Sequence, residues 1–195
     1  MLQPLSTGAY ERPGSPPRLV HRTAFDDARA TDRLRRRREL VKGRFQGGGI
    51  GYVLAGDLGL YANAFRRPLP ELSAVQASVL DAVQRTGPLT PRQIKEEVGL
   101  LNKQIMPALH RLQTAWLVYE DQVDDGWDRA WYGFETEWPD VEVGEERRLE
   151  SVREVLLRFL GALVFATLGN AHDWSRLPAR LLESCLGDLE GRGEI

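Results

Sequence analysis

The most basic run in the chain, Arg33-Leu34-Arg35-Arg36-Arg37-Arg38, is where the side chains first suggest chemistry. That chemistry is phosphate contact by Arg35, Arg36, Arg37 and Arg38 as an arm. Consecutive arginines point in every direction around a helix, so the same run also reads as a solvated helix paired with Asp26, Asp27, Asp32 and Glu39, or with the acidic remainder of the chain. A second group lies further on. Arg92, Lys95, Lys103, Gln104, His110 and Arg111, joined by Arg129, are types that contact phosphates and base edges. Both groups describe a surface for duplex DNA.

Other chemistry is not supported by spacing. His21, His110 and His172 are far apart and none stands at i, i+4 from another ligand, so neither a metal nor another cofactor is expected. His172-Asp173 reads as local polar structure, and the lone Cys185, between Leu182 and Leu186, as a small core residue. Gly47-Gly48-Gly49-Ile50-Gly51 lacks the Lys-Ser/Thr of a Walker loop and the Gly-x-Gly-x-x-Gly spacing, which leaves a turn. Trp116, Trp127, Trp131, Trp138 and Trp174 could stack on bases, but the alternation of Tyr132 and Phe134 against Trp131 gives a hairpin two apolar faces and favours packing. No catalytic residue is nominated.

The elements that must position the basic residues lie in 73–138. Ser73 with Gln76 three positions on is a capping box, and Val75, Val79, Ala82 and Val83 follow at helical spacing until Thr86-Gly87-Pro88 stops the helix. Leu89 can be only a stub of strand. Thr90-Pro91-Arg92-Gln93 is a second capping box with proline at the first helical position. A third helix carries Ile105, Leu109 and Leu112 inward, with Pro107 predicting that it starts near Met106 or bends. Strands at 117–119 and 130–134, joined by a polar turn at 122–126, complete a winged helix, whose third helix would enter the major groove. Asp121, Asp124 and Asp125 at the wing tip oppose phosphate.

A helix is expected over 24–40 and strand-like residues over 50–60. After an acidic linker, 145–160 reads as an amphipathic helix. Thr90 leads Ile105, Leu109, Leu112 and Val118 by the same intervals by which Thr167 leads Leu182, Leu186, Leu189 and Ile195. That is an internal repeat. The expected fold class is mainly α with small β-hairpins (α+β), as tandem winged helix-turn-helix domains, the second truncated. The divisions are a poorly ordered segment 1–22, a basic helix plus short strands in 23–70, a winged helix in 71–140 and a second winged-helix-like unit without its wing in 145–195. A homodimer or a protein partner could complete that second unit.

With 195 residues and 42% hydrophobic content the chain can bury a real core. The net charge of −2 conceals an asymmetry, since residues 1–70 hold 13 Lys/Arg against 6 Asp/Glu and residues 71–195 hold 13 against 22. Phosphate attraction must therefore come from local placement. With no apolar run of bilayer length and no signal-peptide pattern, a cytoplasmic protein with no membrane partner is expected.

Arg111-Leu112-Gln113, Val118 to Gln122, Trp127-Asp128-Arg129-Ala130-Trp131-Tyr132 and Glu135-Thr136-Glu137-Trp138-Pro139 together resemble the winged-helix region of the AlkZ/YcaQ-like DNA glycosylase family. Gly87-Pro88-Leu89-Thr90 fits as well. The resemblance covers about residues 40–195 and implies tandem winged helices and a DNA-repair context. It also implies excision of alkylated or crosslinked bases through a Gln-x-Gln motif near the N-terminus. Gln3, Gln46, Gln76, Gln84, Gln93, Gln104, Gln113 and Gln122 include no such pair. The leading expectation is duplex-DNA binding without catalysis. The alternatives are a glycosylase, and a protein-interaction module or transcriptional regulator.

Overall fold

A computed structural model of the chain describes residues 33–120, 129–161, 163 and 166–195. The segment 1–22, the first part of the helix expected over 24–40, Trp127, and the 122–126 turn with Asp121, Asp124 and Asp125 lie outside the described residues. The basic helix ends earlier than its composition suggests: residues 33–36 are helical, and Arg38 turns left-handed at φ 57. Glu39 N–H donates to Leu34 O and Arg38 N–H to Arg35 O, the paired bonds of a Schellman stop. The chain then enters a strand.

That strand, β1 (Leu40–Arg44), pairs antiparallel with β2 (Ile50–Leu54) in the register Leu40↔Leu54, Lys42↔Tyr52, Arg44↔Ile50. The glycine run is the turn between them, with Gly47 at φ 61 and Gly48 at φ 81, values that glycine adopts without steric penalty. Helix α1 (Leu58–Phe65) follows, so residues 58–60 of the strand-like stretch are helical.

Next come α2 (Ala74–Thr86), α3 (Pro91–Val98) and α4 (Asn102–Thr114). Both sequence-predicted capping boxes form: Ser73 accepts from Gln76 N–H, Thr90 from Gln93 N–H, and each glutamine accepts from the cap residue's own N–H. Strands β3 (Val118–Glu120) and β4 (Trp131–Gly133) pair antiparallel, and Leu89 bridges to Trp131 as a third, one-residue strand. This is the winged helix expected. A short α5 (Phe134–Glu137) leads away from it.

Then α6 (Arg148–Leu160), α7 (Leu168–Ser175) and α8 (Ala179–Gly191) follow. Thr90 to Thr167 is 77 positions; Pro91 to Leu168, Asn102 to Ala179 and Thr114 to Gly191 span the same interval. Thr167 forms its own capping box, with Asn170. The interval persists past the third helix. Leu117 N–H donates to Leu112 O across left-handed Trp116, and Glu194 N–H to Leu189 O across left-handed Gly193.

Two apolar cores result. One gathers Val79, Val83, Ile94, Ile105, Leu109, Leu112, Val118 and Trp131. The other joins β1, β2 and α1 to α6, α7 and α8, and includes Trp116, Tyr119 and Phe134. The wing separates them, because alternate residues of a strand face opposite ways: Val118 and Trp131 face the first core, while Tyr119, Tyr132 and Phe134 face the second. Taking each such aliphatic or aromatic side chain out of water is worth about 2 kcal/mol. The tryptophans therefore pack: Trp116 and Trp131 are buried and Trp138 and Trp174 lie half-buried against the second core. Cys185 is buried there as well.

Candidate nucleic-acid interface

Helix α4 buries Ile105, Ala108, Leu109 and Leu112, so the opposite side faces solvent. On that side Lys103, Pro107, His110 and Arg111 recur at intervals of three, four or eight residues, which places them one above another. Lys103 and Arg111 make no ion pair with any described residue. Gln104 is otherwise engaged, its Oε1 accepting from Leu101 N–H at 3.2 Å, so it anchors the start of the helix.

Pro107 neither shortens nor displaces α4. The helix runs from Asn102 to Thr114 with the proline inside it. Proline has no N–H to give to Lys103 O, one turn back. Because Pro107 is exposed, that carbonyl faces water rather than the core, and the helix can continue.

His110 sits where α4 meets the hairpins, its ring 6.2 Å from that of Trp131. Its pKa is held below the usual histidine value, by burial first and by the nearby Arg44 cation second. Burial likewise lowers that of Arg44, itself half-buried.

The remaining expected contacts divide. Arg92 and Lys95 are exposed on α3, without an ion pair among the described residues. Arg129 is held by Glu120 at 3.0 Å. Glu120 also receives Lys42 at 2.7 Å, a lysine whose side chain is 4% exposed. In the arginine run, Arg35 lies over the Tyr52 ring at 5.8 Å and donates to its hydroxyl, Arg37 approaches Glu39 at 3.9 Å, and Arg38 pairs with Glu137 at 2.5 Å. Arg36 is exposed and also has an interaction. The run is therefore engaged with Tyr52 and acidic side chains, the paired alternative that composition allowed, with Glu137 as one of the acids.

The structure adds cations that spacing in the sequence did not single out as contacts. Arg44 donates through Nη1 to Gly48 O at 3.0 Å and through Nε to Gln113 at 2.7 Å. Arg67 N–H donates to Thr114 O, which brings its side chain against Gly48. Arg176, from the end of α7, lies against Gly47. The signal available in the sequence was the repeat, in which Arg176 stands 77 positions after Gly99. Elsewhere, His172 and Arg176 each approach Asp173 at 3.7 Å, a local polar group as expected. Among the described residues no helix is long and apolar enough to cross a membrane, and no group of three or more His, Cys, Asp or Glu side chains could hold a metal ion.

Against known proteins, a family model described as DNA glycosylase AlkZ-like matches residues 18–195. No match is found among curated proteins. Among solved structures, the Streptomyces sahachiroi DNA glycosylase AlkZ is similar in fold, with a TM-score of 0.66 and 14% sequence identity over 86% of this chain. The match takes in 52% of that protein, so the chain spans about half its length. A family match over most of the chain means that the chain belongs to the AlkZ-like DNA glycosylase family.

Proposed function

We propose that this chain is a duplex-DNA-binding protein of the AlkZ-like family, that α4 is its groove-facing helix, and that it excises no base by itself. The observation that carries this reading is the outward side of α4. There Lys103 and Arg111 make no ion pair with any described residue, and His110 stands between them near the Arg44 cation. On α3, Arg92 and Lys95 extend the basic surface. Duplex DNA offers one negative charge per about 1.7 Å of axis, and neutralising phosphates releases counterions, so binding of this kind weakens with salt. The paired state of Arg35, Arg37 and Arg38 moves the emphasis from the N-terminal arm to α3 and α4. The reading without catalysis is supported by glutamine spacing, since no two glutamines are one residue apart.

Fluorescence anisotropy with a labelled 20-base-pair duplex tests it. The expected result is binding at low salt, with affinity falling as salt rises and falling about three- to tenfold in Lys103→Ala/Arg111→Ala. No binding at low salt refutes it. Base excision is the second reading, favoured by family membership. Incubation with alkylated or crosslinked DNA decides between them, since abasic product would replace the reading without catalysis.

A further inference from the structure

We propose that the Gly47–Gly48 turn, gripped by Arg67 and Arg176, is a contact for a DNA backbone phosphate beside α4. The proposal rests on the duplex-binding reading above and adds a site to it. Two arginines remote in sequence converge here. A Cβ built on Gly47 would lie 3.2 Å from the Arg176 Cγ and 4.0 Å from an Arg67 Nη, and one built on Gly48 would lie 3.7 Å from the other Arg67 Nη. A side chain at Gly48 would fill the space in which the Arg67 guanidinium approaches the backbone, and one at Gly47 would press on the Arg176 stem. Both glycines are also left-handed, so the turn is doubly restricted to the residue present.

The charge at the turn is poorly compensated. Arg67 is exposed and makes no ion pair among the described residues. Among the described residues Arg176 pairs only with Asp173, 3.7 Å away and well exposed, and Arg44 donates to Gly48 O and Gln113. The Arg67 and Arg44 guanidinium groups both lie at the turn, with the Arg176 stem against Gly47, and an anion beside the two guanidinium groups offsets their repulsion. Phosphate suits arginine because two N–H groups can meet two oxygens at once.

Arg176 also stands where the first unit uses a different residue. Arg176 N–H donates to His172 O at φ 58, and Gly99 N–H donates to Lys95 O at φ 67, the same helix stop 77 positions apart. Glycine is the residue that fits this conformation without steric penalty. An arginine there is unfavourable for the backbone, and its side chain is what lies on Gly47.

Finally, the turn continues the outward side of α4. The Thr114 methyl group lies 3.7 Å from the Cβ position of Gly48, and Thr114 is one helical turn from Arg111. The 13-residue helix is about 20 Å long, a span that covers several phosphates along one strand. The turn thus sits where a strand flanking the groove would pass.

The test measures duplex affinity against salt for the full chain and for Arg67→Gln and Arg176→Gly, with Arg147→Ala as a control beside Glu142 in the acidic linker. Arg67 and Arg176 variants should each bind about three- to tenfold more weakly and lower the slope of log affinity against log salt by about one. Arg176→Gly places glycine at a left-handed position, where no steric penalty opposes the fold, and its thermal melt separates a binding loss from unfolding. Unchanged slopes in both variants, with the parent chain still binding, overturn the phosphate site and leave the duplex-binding reading intact. An equal loss in Arg147→Ala overturns it as well, by showing only a general charge effect. Absence of binding by the parent chain removes both readings together.

Discussion

Lys42 Nζ lies 2.7 Å from Glu120 Oε2, and the pair joins the first hairpin to the wing with only 4% and 17% of the two side chains exposed. Arg129 reaches the other oxygen of the same carboxylate at 3.0 Å. Removing the shared carboxylate strands a buried cation, at a cost of about 3 kcal/mol, whereas replacing Lys42 by an apolar side chain of similar length leaves Glu120 still paired with Arg129. Glu120→Ala should therefore lower stability by about 3 kcal/mol and Lys42→Met by about 1 kcal/mol or less. Urea unfolding of the two variants measures the difference. Equal losses would mean that shape rather than charge holds the hairpin to the wing.

The two equivalent helix stops should respond in opposite ways. No atom lies within 4 Å of a Cβ built on Gly99, so Gly99→Ala introduces only the left-handed penalty, about 1 kcal/mol. Arg176→Gly removes that penalty and adds unfolded-chain entropy of comparable size, so its stability should stay within about 1 kcal/mol of the parent. Thermal melts of both variants measure these changes. A large loss in Arg176→Gly would make the Arg176 side chain a structural prop.

His110 predicts a pH response. Its folded pKa lies below the ordinary value because of burial and the Arg44 cation. A depressed histidine favours the folded state while neutral. Its contribution is complete above the unfolded pKa of about 6.5 and is lost as pH falls through the lower folded value. His110→Gln should therefore lose less stability than the parent chain between about pH 7 and pH 5. Denaturant midpoints across that range give the comparison, and identical pH profiles would contradict it. A phosphate near Arg44 offsets its repulsion, so duplex binding should raise the pKa of His110 and strengthen as pH falls from 7 to 6.

Pro107 interrupts the hydrogen-bond ladder of α4 on its exposed side. Pro107→Ala restores an N–H for Lys103 O, and against that the unfolded chain gains freedom. A net stabilisation of about 1 kcal/mol is expected, read from the denaturant midpoint. A loss of stability instead would show that the proline ring packs against its surroundings.

Much of this fold was legible locally. Ser73 with Gln76 and Thr90 with Gln93 are complete within four residues, so their types alone specify the start of each helix. The 77-residue interval carries the same local grammar twice, and the alternation around Trp131 anticipated a wing with two apolar faces. The stop at Arg38 was not legible, because arginine is a good helix former and only Schellman bonds and the onset of β1 end the helix there. Pro107 misled in the other direction: the cost of an interior proline depends on whether the orphaned carbonyl meets core or water, and sequence does not say which.

Composition and spacing, by themselves, determined a mainly helical chain with small β-hairpins and a helix from which Lys103, His110 and Arg111 can point away. Tertiary structure alone decided which of the cations remain available. It joins Arg38 to Glu137, 99 positions apart, and Lys42 to Glu120, 78 positions apart, and it brings Arg67 and Arg176 onto one glycine turn. The reason is physical. Helix caps and apolar periods act over a few residues of chain, whereas the field at a charged group depends on distance through space, which only the packed cores set.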